Sequence, residues 1–259
     1  DADTLTLTQN AQPALMATSL AAVRALEAEG VSVTSASFVA GHSLGEYSAL
    51  CAAGALDLAD TARLLRLRGQ AMQSAVPVGE GAMAAILGLD IDAVEALAAD
   101  AAEGEVCEVA NENDPAQTVV SGSKAAIDRV VAMAKDRGAK RALPLPVSAP
   151  FHCALMKPAA DAMAQALQDV AISAPSVPLV ANVVAEAVSD PDEIRRLLVE
   201  QVAGRVRWRA SVEWMAGQGV DAFWELGAGK ALSGMIRRIA KEAETRAIGT
   251  AADVAALND

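Results

Sequence analysis

The chain is poor in aromatic residues, cysteine and histidine, and each shortage excludes a class of protein. Aromatic residues make up 3% of the 259 residues, a composition that favours helices packed closely on a sheet over an aromatic-rich sandwich. The three cysteines, Cys51, Cys107 and Cys153, lie far apart, and an odd number argues against a disulfide framework. His42 and His152 are the two histidines, and because neither H-x-x-x-H nor C-x-x-C occurs, we expect no metal site. We therefore predict a reducing, cytoplasmic location.

Long apolar runs and positive charge are also scarce. No uninterrupted apolar run reaches the roughly 18 residues that a membrane span needs, and the N-terminal DADTLTLTQN is too acidic and polar for a signal peptide. The formal net charge is −12, so neither a membrane nor nucleic acid is an expected partner. Basic residues do gather locally, and such clusters are usually solvated faces, with docking of an acidic partner as the alternative: Lys140, Arg141, Arg205, Arg207, Arg209, Arg237, Arg238 and Lys241.

What the chain does contain is a G-x-S-x-G motif, GHSLG, at residues 41–45. It follows a short apolar run and precedes an alanine-rich, helix-like segment. A turn this sharp forces Ser43 into strained dihedrals, and flanking glycines remove side chains that would clash. The serine hydroxyl is then exposed, and the N-terminus of the next helix points at it. The alternative is a chance match in a chain of 18 glycines.

The hydrophobic pattern divides the chain into two domains. In the first part we predict a helix over 13–29, a short buried strand over 36–40, a helix over 44–53 and a helix capped by Asp57. Residues 81–146 follow the order βαββαβ, which is typical of a ferredoxin-like unit. Strands over 179–184 and 221–226 belong to the resumed first domain. We therefore predict an α/β protein with an α/β-hydrolase-like large domain (1–80 and 147–259), built on a parallel sheet, and an inserted ferredoxin-like subdomain (81–146).

A nucleophilic serine needs a base, because a free hydroxyl is barely nucleophilic at neutral pH. The side chain of His42 should diverge from that of its neighbour Ser43 at a sharp turn. His152 lies in VSAPFHC, a loop just after the inserted unit, where it can face a cleft between the two domains. A histidine in a loop is more often structural, but His152 is the one plausible base for Ser43.

An arginine on an apolar helix face supplies a third signal. At about 100° per residue, Arg68 falls in the middle of the face that Leu64, Leu65 and Met72 share. A buried guanidinium needs an anion. The anion is either an internal carboxylate or the carboxylate of a substrate held by two hydrogen bonds. Together with Ser43 and His152, the second interpretation suggests acyl transfer from a substrate that carries its own carboxylate.

Four segments carry a resemblance to a known family: GHSLGEYSAL, RLRGQAMQ, VSAPFHCALMKPAA and ELGAGKALSGMIRR. They resemble the malonyl-CoA:acyl carrier protein transacylases of fatty-acid synthesis, and the similarity extends along nearly the whole chain. The resemblance implies that Ser43 is the acylated nucleophile, His152 the general base and then acid, and Arg68 the clamp for the malonyl carboxylate. It further implies malonyl-CoA and an acyl carrier protein as partners, with no cofactor and no metal.

Three more site residues follow from the same resemblance, and a fourth, Phe151, follows from its place next to His152 in the chain. The Leu44 amide would donate to the oxyanion, and Gln12 matches a glutamine near the arginine. The main-chain carbonyl of Gln201, rather than an aspartate, would orient the histidine. Phe151, beside the base, would crowd an α-methyl group and disfavour methylmalonyl-CoA.

One family feature is missing from the sequence. Members of the family begin with a strand that leads into F-P-G-Q-G-x-Q, which supplies a second oxyanion donor, and no such motif is present. Either the sequence is a fragment of a longer protein, which we expect, or the protein is truncated and inactive.

Three other functions compete with acyl transfer. An α/β-hydrolase esterase would place its histidine after the last strand, but no histidine follows His152. A patatin-like lipase would use an aspartate as its base and would have no use for Arg68. A carrier-binding module without catalysis would not need an intact Ser43 and His152.

Overall fold

The computed structural model describes residues 2–257 as helices arranged around three β-sheets. Residues 1, 258 and 259, which the predicted large domain includes, lie outside the described residues. The helices are α1 (Ala2–Thr6), α2 (Thr8–Ala28), α3 (Gly45–Ala52), α4 (Leu58–Ser74), α5 (Ile91–Ala102), α6 (Lys124–Met133), α7 (Lys157–Gln168), α8 (Pro191–Ala203), α9 (Trp208–Gly217), α10 (Ala231–Ile239) and α11 (Ala251–Ala255). The strands are β1 (Val39–Ala40), β2 (Gly81–Leu87), β3 (Cys107–Asp114), β4 (Gln117–Ser123), β5 (Arg141–Pro144), β6 (Leu179–Ala181), β7 (Glu186–Val188), β8 (Ala222–Leu226) and β9 (Glu244–Ile248).

The larger unit, residues 2–80 and 147–257, contains two of the sheets. β1 pairs in parallel with β6, and β8 pairs in parallel with β9. The prediction of a parallel sheet is wrong for β7, which runs antiparallel to β6. The chain reverses there because Ala185 adopts a left-handed φ of 59° and its N–H donates to the Ala181 carbonyl at 2.8 Å. No helix among residues 2–257 is both long enough and apolar enough to cross a membrane.

The smaller unit, residues 81–146, contains the third sheet and has the predicted element order βαββαβ. Its strands lie in the order β3-β4-β2-β5, and every neighbouring pair is antiparallel. Asp90 caps α5 by accepting a hydrogen bond from the Ala93 N–H. The apolar faces of α5 and α6 pack on the sheet, and the fully buried members of this core include Ile86, Leu97 and Ile127.

The two units meet along strand β3. The Val206 N–H donates to the Ala110 carbonyl at 2.8 Å, and the Glu112 N–H donates to the Val206 carbonyl at 2.9 Å. Arg238 forms an ion pair of 2.7 Å with Asp114, whose side chain is almost fully buried. These contacts fix the smaller unit against the segment that follows α8 and against α10.

Two predicted elements differ in their bounds. Helix α2 begins at Thr8 rather than at 13, so that Pro13 lies inside it. Proline cannot donate to the carbonyl four residues earlier, but this carbonyl, of Gln9, accepts from Arg66 Nη1 at 3.1 Å instead. Strand β1 is shorter than predicted, since only Val39 and Ala40 pair with β6, and both residues are half-buried rather than buried.

Candidate active site

Ser43 stands at the corner between β1 and α3 with a left-handed φ of 54°. A Cβ on Gly41 would lie 1.9 Å from the carbonyl carbon of Gly45, so this position requires glycine. At Gly45 itself a Cβ would meet nothing within 4 Å, and the expectation that both glycines relieve clashes is wrong for Gly45. Asn182 holds the corner from both sides: its Oδ1 accepts from the Ser43 N–H at 2.8 Å, and its Nδ2 donates to the Gly41 carbonyl at 2.8 Å.

The imidazole of His152 lies against the serine hydroxyl. Ser43 Oγ is 2.8 Å from His152 Nε2, and His152 Nδ1 is 2.9 Å from the main-chain oxygen of Gln201. Because a carbonyl only accepts, Nδ1 carries the proton and Nε2 is free to accept from the hydroxyl. Burial, and after it the nearby charge of Arg68, lowers the pKa of His152 to about 3. The ring is therefore neutral at physiological pH and able to take a proton.

His42 points away from this pair, as expected for adjacent residues at a sharp turn. Its Nε2 lies 2.9 Å from Asn113 Oδ1 of the smaller unit, and its ring is tilted against that of Trp208 at 5.8 Å between centroids. His42 therefore joins the corner to strand β3 and does not contact the hydroxyl of Ser43.

Arg68 is buried on the predicted face of α4, with 1% of its surface exposed. Its Nη1 donates to Gln12 Oε1 at 2.9 Å, and its Nη2 donates to Gln201 Oε1 at 2.8 Å and to Ser43 Oγ at 3.1 Å. Among the side chains that the structure describes, residues 4–257, no ion pair includes Arg68. No carboxylate in that range therefore lies at ion-pair distance from the guanidinium, which argues against the internal-carboxylate interpretation. Its Nε has no hydrogen-bond partner in the same range. A buried cation with neutral ligands and a spare donor is suited to an anionic group.

Gln201, near the end of α8, contributes more than the predicted main-chain carbonyl. Its side-chain Nε2 donates to the Ser43 carbonyl at 2.8 Å and to Glu46 Oε2, while its Oε1 accepts from Arg68. Sequence reasoning missed this side chain, and it missed Glu46 and Asn182 entirely. For Glu46 a signal existed, since a carboxylate in the apolar segment after GHSLG is as unusual as the arginine on the apolar face of α4. Asn182 has no such signal in the sequence.

The main-chain N–H of Leu44 lies at the start of α3 and donates to no acceptor among the described residues. Amides at the start of a helix lack an intrahelical acceptor and favour negative charge. The Ser43 N–H, by contrast, is already bonded to Asn182. Of these two amides at the corner, the one at Leu44 is the one free to bind a developing oxyanion.

A cavity of about 390 Å³ opens beside His152 between the two units, but neither Ser43 nor Arg68 is among the residues that line it. Its lining includes Cys107 and Glu108 from β3, Glu95 from α5, and Arg205 from the larger unit. Phe151 is half-buried and packs against apolar clusters of both units. It lies next to the base in the chain, but it is not among the residues that line this cavity, so its contact with an acyl group stays a prediction.

Comparison with known proteins finds relatives of this chain by sequence and by structure. The family model described as "Acyl transferase domain" matches residues 1–254. A protein of Escherichia coli strain K12 named malonyl CoA-acyl carrier protein transacylase is 49% identical over 238 residues, which cover 92% of this chain and 76% of that protein. The acyl-carrier-protein-S-malonyltransferase of Bartonella henselae superimposes with a TM-score of 0.96 at 55% identity and covers 99% of this chain and 82% of that one. A malonyl-transacylase solved in complex with its type II PKS acyl-carrier protein gives a TM-score of 0.96 at 41% identity, covering 100% and 84% of the two chains.

Proposed function

The chain belongs to the acyl transferase domain family, and from that membership we propose the reaction that it catalyses and the residues that carry it out. It moves a malonyl group from malonyl-CoA to the phosphopantetheine thiol of an acyl carrier protein, a step of fatty-acid biosynthesis that we place in the cytoplasm. The observation that carries the proposed mechanism is the position of Ser43 Oγ, 2.8 Å from the base His152 and 3.1 Å from the cation of Arg68.

The first half-reaction acylates the serine. His152 Nε2 takes the hydroxyl proton as Ser43 Oγ attacks the thioester carbonyl of malonyl-CoA, and the Leu44 N–H stabilises the oxyanion. When the C–S bond breaks, the imidazolium returns the proton to the leaving thiolate, and free CoA departs. In the second half-reaction His152 deprotonates the carrier thiol, and the thiolate attacks the malonyl ester. When the ester C–O bond breaks, the imidazolium returns the proton to Ser43 Oγ, which restores the free serine. Exchange of a thioester for an ester needs neither metal nor cofactor.

Arg68 selects the acyl group by its charge. Its hydrogen-bond acceptors Gln12 and Gln201 are neutral amides, so the guanidinium keeps its full charge for the carboxylate of malonate. Because the charge of Arg68 is one cause of the low pKa of His152, a bound carboxylate that neutralises it should raise this pKa. Malonate thereby strengthens the base that its own transfer requires, whereas an acetyl group does not.

The finer description of the fold supports the same proposal. We assign residues 1–80 and 147–259 to an α/β-hydrolase-like large domain, since its serine lies on a strand-to-helix corner. We assign residues 81–146 to a ferredoxin-like subdomain on its element order and antiparallel sheet. The thioester would enter between them, where the cavity reaches His152.

Acyl carrier proteins are generally acidic, and this chain is acidic as a whole, so docking requires local positive charge on its surface. Of the basic residues near the cavity, Arg205 lies at its edge and already pairs with Glu95 across the two units. We expect Arg205, Arg207, Lys140 and Arg141 to contribute to docking. Rising salt should then slow transfer to the carrier more than acylation by malonyl-CoA. Equal salt sensitivity of the two half-reactions would contradict this docking surface.

Mass spectrometry of the intact protein after incubation with labelled malonyl-CoA tests the proposed function. Acyl transfer predicts one malonyl ester on Ser43, one equivalent of CoA released before carrier is added, and no adduct on a Ser43→Ala variant. A hydrolase would release free malonate continuously, and a binding module would form no adduct. An adduct that persists in Ser43→Ala would overturn the assignment of the nucleophile.

A further inference from the structure

Glu46 is a buried carboxylate that the mechanism above does not use. It lies in the first turn of α3, three residues after Ser43, and only 1% of its surface is exposed. No lysine, arginine or histidine within residues 2–257 forms an ion pair with it. Its two oxygens instead accept from the main-chain N–H of Asn182 and from Gln201 Nε2. Burying a carboxylate without a cation beside it is costly, so its contacts point to a role.

The contact with Gln201 decides which way that side-chain amide faces. An amide has one donor end and one acceptor end. Because a carboxylate accepts, Glu46 draws the Nε2 end of Gln201 toward itself, and the Ser43 carbonyl accepts from the same nitrogen at 2.8 Å. The Oε1 end is left facing Arg68 Nη2, from which it accepts at 2.8 Å. Turning the amide over would place N–H groups against the guanidinium.

We propose that Glu46 is a positioning residue that acts through the side-chain amide of Gln201 to hold Arg68 beside Ser43, and so sets the preference for acyl groups that end in a carboxylate. The inference rests on the proposed function, since it concerns the same acyl group. It assigns to Glu46 no contact with the substrate.

The separation of the two charges fits this role. A carboxylate in direct contact with Arg68 would occupy the guanidinium and compete with malonate. With Gln201 between the two groups, Glu46 offsets part of the free-energy cost of burying the Arg68 cation. The guanidinium stays free to bind the carboxylate of malonate. The ionised form of Glu46 is the one that its contacts stabilise, since both oxygens accept hydrogen bonds. Burial raises the pKa of Glu46, whereas the hydrogen bonds from Asn182 and Gln201 and the charge of Arg68 oppose this rise.

The test is the ratio of kcat/KM for malonyl-CoA to kcat/KM for acetyl-CoA in the acylation of Ser43, compared between wild type and Glu46→Gln. A glutamine presents an N–H₂ group to Gln201, which turns over or shifts and releases Arg68. We expect kcat/KM for malonyl-CoA to fall about tenfold to a hundredfold, as for loss of a charge-assisted hydrogen bond, largely through KM. The value for acetyl-CoA should change little, so the ratio falls by a similar factor.

Glu225→Gln is the matched control. Like Glu46, Glu225 is a carboxylate whose two oxygens both accept hydrogen bonds, in its case from the main-chain N–H groups of Leu232 and Ser233 at the start of α10. This variant should keep the wild-type ratio. If Glu46→Gln also keeps the wild-type ratio, the inference is overturned, whereas a wild-type protein that forms no malonyl ester would overturn the proposed function instead.

A second variant covers the case in which Glu46→Gln does not fold. Gln201→Met keeps the main-chain carbonyl for His152 and nearly the same volume, but removes the amide between Glu46 and Arg68. It should lower the malonyl-to-acetyl ratio by a similar factor. When both single variants fold, the double variant should be no worse than Gln201→Met, because the two changes break one connection. A retained ratio in Gln201→Met, or additive losses in the double variant, would contradict the inference.

Discussion

The core of the smaller unit and the side chains that hold Ser43 in place are buried to the same degree, yet they are opposite in polarity. In the smaller unit Ile86, Leu97 and Ile127 are buried against other apolar groups. Around Ser43 the equally buried side chains include Arg68 and Gln201. Apolar burial stabilises in proportion to area and without direction, whereas a buried polar group costs free energy unless its partners stand at bonding distance.

The apolar core of the smaller unit mainly stabilises the fold, whereas the polar side chains around Ser43 mainly determine which acyl group is accepted. A polar interior can exist only if every member orients its neighbours, as Asn182 does for Ser43 and Gln201 does for Arg68. Two of the four non-glycine residues with a left-handed φ among residues 2–257 lie in the site, Ser43 at 54° and His152 at 58°, and the other two are Glu103 and Ala185. Substitutions around Ser43 should therefore change mainly the acyl selectivity, and substitutions in the core of the smaller unit should change mainly the free energy of unfolding.

The largest expected effect is on selectivity, from Arg68→Ala. Acetyl-CoA leaves the buried guanidinium unpaired, so the wild type should favour malonyl-CoA over acetyl-CoA by a factor on the order of 10²–10³. Arg68→Ala should lose most of this preference while Ser43 still accepts acetyl groups, as measured by kcat/KM for both thioesters. Arg68→Lys keeps the charge but not the planar fork and should fall between the two. If Arg68→Ala keeps the wild-type ratio, the arginine is structural.

The complementary change is Ile127→Ala in the core of the smaller unit. Removing a buried isoleucine side chain leaves a cavity and should lower the free energy of unfolding by about 2–5 kcal/mol, and Ile127→Val by about 0.5–1.5 kcal/mol. Urea titration measures both values. The malonyl-to-acetyl ratio should stay at the wild-type value in each folded variant. A shifted ratio would show that this core also determines selectivity.

The free energy of unfolding should depend on pH through His152, which lies in the site and not in the core of the smaller unit. A folded-state pKa of about 3 for His152, against an ordinary value near 6.5, means that the unfolded chain binds the proton more readily. This contribution to stability is complete above about pH 6.5 and is lost as the pH falls toward 3, by at most about 1.4 kcal/mol per pH unit. Between pH 6.5 and 4.5 the stability of wild type should fall more steeply than that of His152→Ala. If the free energy of unfolding falls with pH equally in wild type and His152→Ala, a group other than His152 causes the pH dependence.

The two regions also differ in how far the sequence predicts them. The elements of the smaller unit follow from local patterns, and their order was predicted correctly. Around the site, local patterns predict the sharp turn at Ser43 and the buried face of Arg68. They do not predict that Asn182 binds the Ser43 N–H, because the two residues are 139 positions apart. Helix α2 shows the same limit, since the partner that lets it run through Pro13 is the distant Arg66.

The smallest expected effect comes from Phe151, which belongs to neither region alone. It is half-buried and contacts apolar clusters of both units, so it can restrict an acyl group by shape but not by charge. Phe151→Ser should raise kcat/KM for methylmalonyl-CoA relative to malonyl-CoA by a factor on the order of 10 or less, as expected for room for one methyl group. Phe151→Leu retains much of the volume and should change this ratio less, and neither variant should alter the malonyl-to-acetyl ratio that Arg68 sets. If Phe151→Ser acylates normally with malonyl-CoA and still rejects methylmalonyl-CoA as wild type does, the aromatic ring does not border the acyl group. Shape selection would then belong to other side chains at the junction of the two units.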